Sequence, residues 1–164
     1  SQLVDPDGSL GIQVFDAGEN TRLVALPPSP NGMSLAAIHA PGQAELVKTY
    51  DGLVTRWEGA QIVQGGSEKR LLLLGRSDRA AALIAYRQQD GKWVPVDALA
   101  EEVNRSMFLT LRVTHTPGAE RPVRGLIVQG AVGLTASLSE GGATFCETGL
   151  LCVNYRYDGG WTLR

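Results

Sequence analysis

Two cysteines, Cys146 and Cys152, are the residues whose type and spacing most directly suggest chemistry. They flank residues 147–151, which include a glycine, and residues typical of β-strands lie on both sides. This pattern predicts a hairpin that is closed by a disulfide across its mouth. Because disulfides persist in oxidising compartments, the pair predicts an extracytoplasmic protein, either periplasmic or secreted. A reactive thiol pair is disfavoured because Glu147 would raise the thiol pKa, and a metal pair lacks further ligands nearby.

The chain has two histidines, His39 and His115, and each begins a His-x-Pro-Gly sequence. They could form a paired metal or acid–base site, or they could be two partly exposed residues where strands run into turns. The second interpretation is favoured, because a catalytic zinc needs three protein ligands and no carboxylate lies at a telling spacing. The sequence therefore predicts no metal site, no cofactor and no identifiable catalytic residue, and it leaves the binding residues unknown.

Nucleophile and calcium motifs are incomplete in this chain. No serine lies in the Gly-x-Ser-x-Gly sequence that exposes a nucleophile between a strand and a helix. The segment Asp5-x-Asp7-Gly8 resembles the beginning of a calcium loop, but it lacks the later acidic ligands of an EF-hand. It is interpreted as a turn. Because catalytic triads are assembled in space, a missing motif disfavours an enzyme without excluding one.

Three tryptophans, Trp57, Trp93 and Trp161, each lie in a predicted strand beside a turn that contains glycine. If exposed, such side chains could stack on sugar rings or fill a pocket of a protein partner. The competing interpretation is packing in the core or at a sheet edge. The sequence alone leaves both open and favours packing.

Composition places the chain among globular proteins. It has 164 residues, of which 43% are hydrophobic and 20% are charged, and this length predicts one domain spanning residues 1–164. The net charge is −2 and basic residues do not cluster, which argues against a nucleic-acid partner. No apolar stretch reaches the 18 or so residues of a membrane-spanning helix.

Turn residues divide the chain into about a dozen short segments rich in β-branched and apolar residues. Strands are predicted at 10–15, 21–26, 61–64, 70–75, 80–87, 92–96, 108–114, 123–129 and 132–138, followed by the cysteine hairpin and a last strand pair. One helix is predicted at about 97–106, with Asp97 as its N-cap. The expected fold is mainly β, an antiparallel sandwich or barrel with one short helix.

Residues 46–57 fit two patterns. Their apolar residues recur at helical spacing, but 46–50 and 53–57 also form equal flanks around Asp51-Gly52. Asp-Gly is a favoured two-residue hairpin loop, whereas a glycine in the middle of a helix costs about 1 kcal/mol. The hairpin is therefore the preferred prediction.

Three short matches recur in the same order and suggest two similar β units. His-x-Pro-Gly occurs twice, Ile62-Val63-Gln64 recurs at 127–129, and Tyr86-Arg87 with a following Asp-Gly and tryptophan recurs at 155–161. The offsets between the copies are unequal, so a duplication with deletions and coincidence both remain open. A duplication would predict that 62–93 and 127–161 share a local fold.

These observations predict a non-catalytic extracytoplasmic module of an envelope or secreted assembly that contacts protein or glycan. The first alternative is a small extracytoplasmic hydrolase with a spatially assembled site near His39 or His115. The second alternative is a subunit of a pilus or fibre. The sequence does not specify a partner or an oligomeric state.

Overall fold

The computed structural model describes residues 11–27, 34–49, 54–65, 68–77, 80–95, 110–116, 123–129, 135–139, 141–146, 152–156 and 161–163. In these ranges every regular element is a β-strand, and the strands form three antiparallel sheets. The prediction of a mainly β, sandwich-like fold is confirmed, and the sheets are not closed into a barrel. The helix predicted at 97–106 and the segment at Asp5 to Gly8 lie outside the described residues. No helix that is long and apolar enough to span a bilayer occurs in the described ranges.

The N-terminal sheet has four strands that follow one another in chain order: β1 (Gln13–Gly18), β2 (Thr21–Ala25), β3 (Ser34–Ala40) and β4 (Gln43–Thr49). Glu19 and Asn20 form the β1–β2 turn with φ angles of 52° and 58°, as in a type I′ hairpin. Pro41 and Gly42 form the β3–β4 turn, in which Gly42 has a φ of 73°. Proline followed by a left-handed glycine is the pattern of a type II turn. Local turn chemistry therefore specifies these two hairpins.

The central sheet has the order β5-β6-β7-β10-β9, with β8 also paired to β7. Its strands are β5 (Arg56–Gly65), β6 (Glu68–Arg76), β7 (Ala80–Gln89), β8 (Lys92–Pro95), β9 (Thr110–Thr116) and β10 (Val123–Gln129). Residues 71–74 of β6 and 81–86 of β7 are all at most 2% exposed. These strands are covered on both faces, which explains why their sequences are continuously apolar rather than alternating.

A single cluster of buried side chains fills the space between the N-terminal sheet and the central sheet. The first sheet contributes Leu23, Ile38 and Val47, and the second contributes residues such as Leu73 and Ile84. On the opposite face of the central sheet, a Cβ placed on Gly59 would lie 3.4 Å from Leu138 of the third sheet. The described strands are therefore stacked in three layers.

The side chain of Gln43 ties one edge of the N-terminal sheet to the central sheet. Its Nε2 donates to the backbone carbonyl of Trp93 at 2.7 Å, and its Oε1 accepts from the backbone N–H of Trp93 at 2.7 Å. Gln43 Nε2 also donates to Glu45 Oε2 at 2.9 Å. The amide thus satisfies two backbone groups on the free edge of β8 and substitutes for a neighbouring strand there.

The C-terminal sheet contains β11 (Thr135–Ser139), β12 (Gly142–Cys146), β13 (Cys152–Arg156) and β14 (Trp161–Leu163), again in chain order. Along its strands, buried apolar residues alternate with more polar residues on the opposite face. Ala143 and Phe145 are at most 1% exposed, while Ser137 and its neighbours on the other face are polar. This alternation is typical of an antiparallel sheet with one face on a core.

The predicted pairing of 46–50 with 53–57 is wrong, although 46–49 lie in β4 and Arg56 and Trp57 lie in β5. In the described chain β4 pairs with β3, and β5 pairs with β6. Each strand therefore has a different partner from the one predicted. Strand β4 follows β3 after a two-residue turn. Next to the first pair of the β5–β6 ladder, the Thr55 N–H donates to the Arg76 carbonyl at 2.7 Å. Residues 51–52 themselves lie outside the described ranges.

The predicted common fold of 62–93 and 127–161 is also wrong. Ile62-Val63-Gln64 and residues 127–129 are both extended, and in both segments the Tyr-Arg strand pairs with the tryptophan strand. However, β5 pairs with the next strand in the chain, whereas β10 pairs with β7 and β9, and β11 belongs to another sheet. The matched residues recur because similar local segments, such as hairpins, recur in different sheets.

Candidate functional site

The face of the N-terminal sheet turned away from the central sheet is unusually apolar, and it is called here the apolar face. Val14, Val24, Ala37 and Leu46 are directly opposite one another and form one row across all four strands. A second row contains Leu26 and Leu35, whose backbones are joined by a hydrogen bond of 3.0 Å, and Lys48, which lies directly opposite Leu35. The apolar face is therefore defined by Val14, Val24, Leu26, Leu35, Ala37 and Leu46.

Exposure distinguishes the apolar face from the rest of the described surface. Leu26 and Leu46 are 39% and 37% exposed, and they are the exposed large hydrophobic side chains of the described residues. Both belong to this face. Single exposed leucines are ordinary on protein surfaces, but two that share a face with further apolar residues form a patch.

The sequence produces this face because β2 and β3 are apolar at both alternating positions. In β2, Leu23 and Ala25 point into the core with exposures of 0% and 2%, which turns Val24 to the other face of the sheet, where its neighbours leave it only 7% exposed. In β3, Ala36 and Ile38 are buried, which turns Ala37 to the outer side. A strand that packed only on one side would be expected to carry polar residues at these outward positions.

A polar row borders the apolar face. Asp16, Arg22, His39 and Ala44 are directly opposite one another on β1 to β4, and all four residues are exposed. Asp16 and Arg22 place opposite charges at neighbouring strand positions, an arrangement that stabilises a sheet surface modestly. The row therefore supplies a carboxylate, a guanidinium and an imidazole at one end of the apolar face, and Lys48 lies on the same face opposite Leu35.

The β1–β2 turn forms an open depression next to this row. It has a volume of about 550 Å³ and is lined by Asp16, Gly18, Glu19, Asn20 and Arg22. The Gly18 N–H donates to Asp16 Oδ1 at 2.9 Å and thereby orients the carboxylate. Lys69 Nζ lies 2.5 Å from Glu19 Oε1 and connects the turn to β6. The depression is polar and shallow, so it suits rim contacts better than enclosure of a substrate.

The histidines are not brought together as a pair. His39 lies on β3 of the N-terminal sheet, and His115 lies on β9 at the edge of the central sheet. The predicted strand end before a Pro-Gly turn is confirmed for His39, since β3 ends at Ala40 and the turn follows; β9 ends at Thr116, and the segment after it lies outside the described residues. Among the described residues, His39 has no carboxylate or serine hydroxyl within hydrogen-bonding distance, and no cluster of three or more potential metal ligands occurs.

The cysteines occupy directly opposite positions of the β12–β13 pair. The predicted hairpin is confirmed, and its loop, 147–151, lies outside the described residues. Opposite residues of an antiparallel pair have Cα atoms about 4.5–5.5 Å apart, within the range of about 4.4–6.8 Å that a disulfide requires. This register supports the bond between Cys146 and Cys152, which stays a prediction.

Two of the three tryptophans are core residues. Trp57 and Trp93 are each 3% exposed and belong to the buried cluster between the N-terminal and central sheets. For these two residues the favoured prediction, packing in the core, is confirmed, and the alternative of an exposed binding residue is wrong. Trp57 is accommodated by Gly75, because a Cβ at Gly75 would lie 3.3 Å from the Trp57 ring. Trp161 is the first residue of β14.

The outer face of the C-terminal sheet carries hydroxyl and amide groups. Ser137, Thr144 and Asn154 are directly opposite one another, and Thr144 Oγ1 donates to Asn154 Oδ1 at 2.6 Å. Asn154 is 5% exposed, and its Nδ2 is buried without a hydrogen-bond partner among the described residues. This face is as consistently polar as the apolar face is hydrophobic.

A scan against protein-family models matches no family, and a comparison with curated proteins finds no match. A function must therefore be inferred from the surfaces of the chain itself. Sequence reasoning missed the apolar face, although its signal is present: β2 and β3 carry apolar residues at both alternating positions. Which face of these two strands packs against the core can be determined only from the stacking of the sheets.

Proposed function

We propose that this protein is a non-catalytic extracytoplasmic binding module that contacts a protein partner through the apolar face. The observation that carries the proposal is the contrast between the two outer faces of the stacked sheets. One presents Leu26, Ala37 and Leu46, and the other presents Ser137 and Thr144. Both faces belong to outer layers of the stack. Because one is apolar and the other is polar, the contrast supports partner binding at the apolar face rather than at the polar one.

A protein fits the apolar face better than a glycan. The face is the surface of four paired strands with short aliphatic side chains, which favours packing against another flat apolar protein surface. Sugar binding usually relies on exposed aromatic rings, but Trp57 and Trp93 are buried. Asp16 and Arg22 at the border supply the polar rim that surrounds the apolar centre of many protein interfaces.

The extracytoplasmic part of the proposal is supported by the opposite positions of Cys146 and Cys152, because such a pair can be bonded in an oxidising compartment. A nucleic-acid partner is disfavoured by the net charge of −2 and the dispersed basic residues. The hydrolase alternative gains no support at His39, which is exposed and lacks a carboxylate or serine partner among the described residues. The pilus or fibre alternative is compatible with an apolar face, since fibre subunits also bury surface against protein.

A photo-crosslinking residue placed at Leu46 tests the proposal in the cell that makes the protein. The matched control carries the same residue at Ser137, which is exposed on a strand of the opposite outer layer. We expect a protein adduct from position 46 and none from position 137. Equal adducts at both positions, or none at position 46 in a folded protein, would contradict the assignment of the apolar face.

The partner identified by that adduct can then be titrated against L46D. Burial of a leucine stabilises a complex by about 1.5–3 kcal/mol, and Leu46 is already partly covered, so we expect a loss of about tenfold in affinity. S137D should bind within about twofold of the wild type. Thermal melting of both variants checks that the fold is retained.

A further inference from the structure

The apolar face has a lysine at one border. Lys48 is half-buried on β4, lies directly opposite Leu35, and follows the exposed Leu46 on the same face. Its ammonium group takes part in no ion pair or hydrogen bond among the described residues. A positive charge beside exposed leucines is therefore available to a carboxylate of a partner.

The charges on the outer side of the N-terminal sheet are unequal in number. In the described strands, its outward positions hold the cations Arg22 and Lys48 and one carboxylate, Asp16. Asp16 lies directly opposite Arg22, and its Oδ1 accepts from the Gly18 N–H at 2.9 Å. It therefore offsets the charge of Arg22 at one border, while the charge of Lys48 at the other border is not offset. Because the net charge of the whole chain is −2, this positive character is local.

The two cations lie on opposite sides of the apolar row that contains Val24, Ala37 and Leu46. Arg22 and Lys48 are separated by two strand spacings and by four residues along the strands. Standard sheet dimensions place their Cα atoms about 16 Å apart. The surface thus has an apolar centre and positive groups at its borders. An apolar protein surface that is bordered by carboxylates would complement it.

A second copy of this chain complements the face poorly. The carboxylate that it could offer from the same described face is that of Asp16, which lies one strand away from Arg22. Because neighbouring strands are about 4.8 Å apart, a contact that brought Asp16 to Lys48 would also bring Arg22 toward Lys48. Like charges that meet in an interface oppose association. The charge pattern therefore favours a different, acidic protein.

We propose that the partner of the apolar face is an acidic protein surface, with an apolar centre and a carboxylate that pairs with Lys48 in the complex. This inference rests on the proposed function, since it names the chemistry of the protein that binds there. A charge pair at the border of an interface stays partly hydrated, so it contributes modestly to affinity and mainly increases the rate of association. Salt should therefore weaken the complex.

Charge reversal at Lys48 tests the proposal with the protein that is crosslinked from position 46. We expect K48E to weaken its binding by about three- to tenfold, because attraction becomes repulsion. K92E is the matched control, since Lys92 is exposed on β8 of the central sheet and the charge change is the same. K92E should bind within about twofold of the wild type, and K48R should retain most of the affinity. Thermal melting checks that each variant is folded.

Two further measurements examine the charge contact itself. Raising sodium chloride from about 50 to 500 mM should weaken the wild-type complex more than the K48E complex. Replacing the carboxylate of the partner that lies nearest the crosslink with lysine should restore binding to K48E. Equal salt dependence of the two complexes would contradict a contact at Lys48.

The outcomes separate this inference from the proposed function. If L46D weakens binding but K48E behaves as K92E does, the apolar face is the binding surface and the acidic partner is refuted. If no protein adduct forms at position 46, both fall. An adduct with a second copy of the chain would overturn the inference. So would cosedimentation of the wild type, but not of K48E, with vesicles of phosphatidylcholine and phosphatidylserine, because Lys48 would then contact lipid headgroups.

Discussion

Replacing Gln43 with alanine should measurably weaken the attachment between the N-terminal and central sheets. The substitution removes two hydrogen bonds to the Trp93 backbone, both 2.7 Å long, and one of 2.9 Å to Glu45. A typical intramolecular hydrogen bond contributes about 0.5–1.5 kcal/mol net. The two backbone bonds therefore suggest a loss of about 2 kcal/mol in the free energy of unfolding.

The size of this effect depends on what replaces the amide at Trp93. The indole side chain is 3% exposed, but the backbone lies at the edge of β8, where water can partly restore the lost bonds. A full desolvation penalty is thus not expected, which keeps the value near 2 kcal/mol. Gln43→Glu should be at least as destabilising, because it retains the acceptor but places a carboxylate beside the Trp93 carbonyl and Glu45.

Urea unfolding followed by fluorescence measures the change, and Gln61→Ala is the control. Gln61 is also half-buried, but its amide donates only to the carbonyl of the adjacent Ile62 at 3.3 Å, so we expect a loss below about 0.5 kcal/mol. For a chain of this length, 2 kcal/mol corresponds to a fall of about 4–8 °C in the melting temperature. A Gln43→Ala value within 0.5 kcal/mol of the wild type would refute the proposed role of this tie.

Two further predictions concern the packing of the core and the cysteine hairpin. Gly75→Ala should destabilise the protein by about 2 kcal/mol, because its Cβ would lie 2.6 Å from Val54 Cγ1. Adding Val54→Ala should relieve part of that loss, and strictly additive effects in urea unfolding would contradict the steric explanation. For the hairpin, alkylation in denaturant without reductant should detect no free thiol, and reduction should cost about 2 kcal/mol. Two alkylated cysteines per chain would exclude the disulfide and remove its support for an extracytoplasmic location.

Local turn chemistry made much of the strand content predictable. The Asp90-Gly91 turn has φ angles of 51° and 76°, and it joins β7 to β8 as a two-residue hairpin. The corresponding residues at the β1–β2 turn are Glu19 and Asn20. In both places a few neighbouring residues determine the turn and the register of the flanking strands. The local sequence is therefore sufficient to predict these hairpins.

Pairing between strands was less predictable, because a turn signal does not determine which strands become neighbours. Asp51-Gly52 has favourable turn chemistry, yet β4 pairs with β3 and β5 pairs with β6. Strand β10 illustrates the same limit, since it lies between β7 and β9 rather than beside β11. These arrangements depend on contacts between residues far apart in the sequence, which local patterns do not encode.

The candidate site was hidden for a related reason. In β2 the run Leu23-Val24-Ala25 is apolar throughout, so alternation could not show which residue faces outward. The same ambiguity has a different cause in β6, where Leu72 and Leu73 are both fully buried because both faces of the central sheet are covered. In β2 as well Val24 is only 7% exposed, and the exposed large side chains of the apolar face are Leu26 and Leu46.

The position of a sheet in the stack explains why this difference matters for function. The central sheet must be apolar on both faces because a layer covers each of them, as Leu138 contacts one side and Ile38 belongs to the core on the other. The C-terminal sheet follows the expected pattern of an outer layer, with Phe145 buried and Ser137 exposed. The outer side of the N-terminal sheet combines exposed leucines, Leu26 and Leu46, with the exposed polar residues Asp16, Arg22 and His39. A protein partner that bound as proposed would cover Leu26 and Leu46, which are 39% and 37% exposed in the chain by itself.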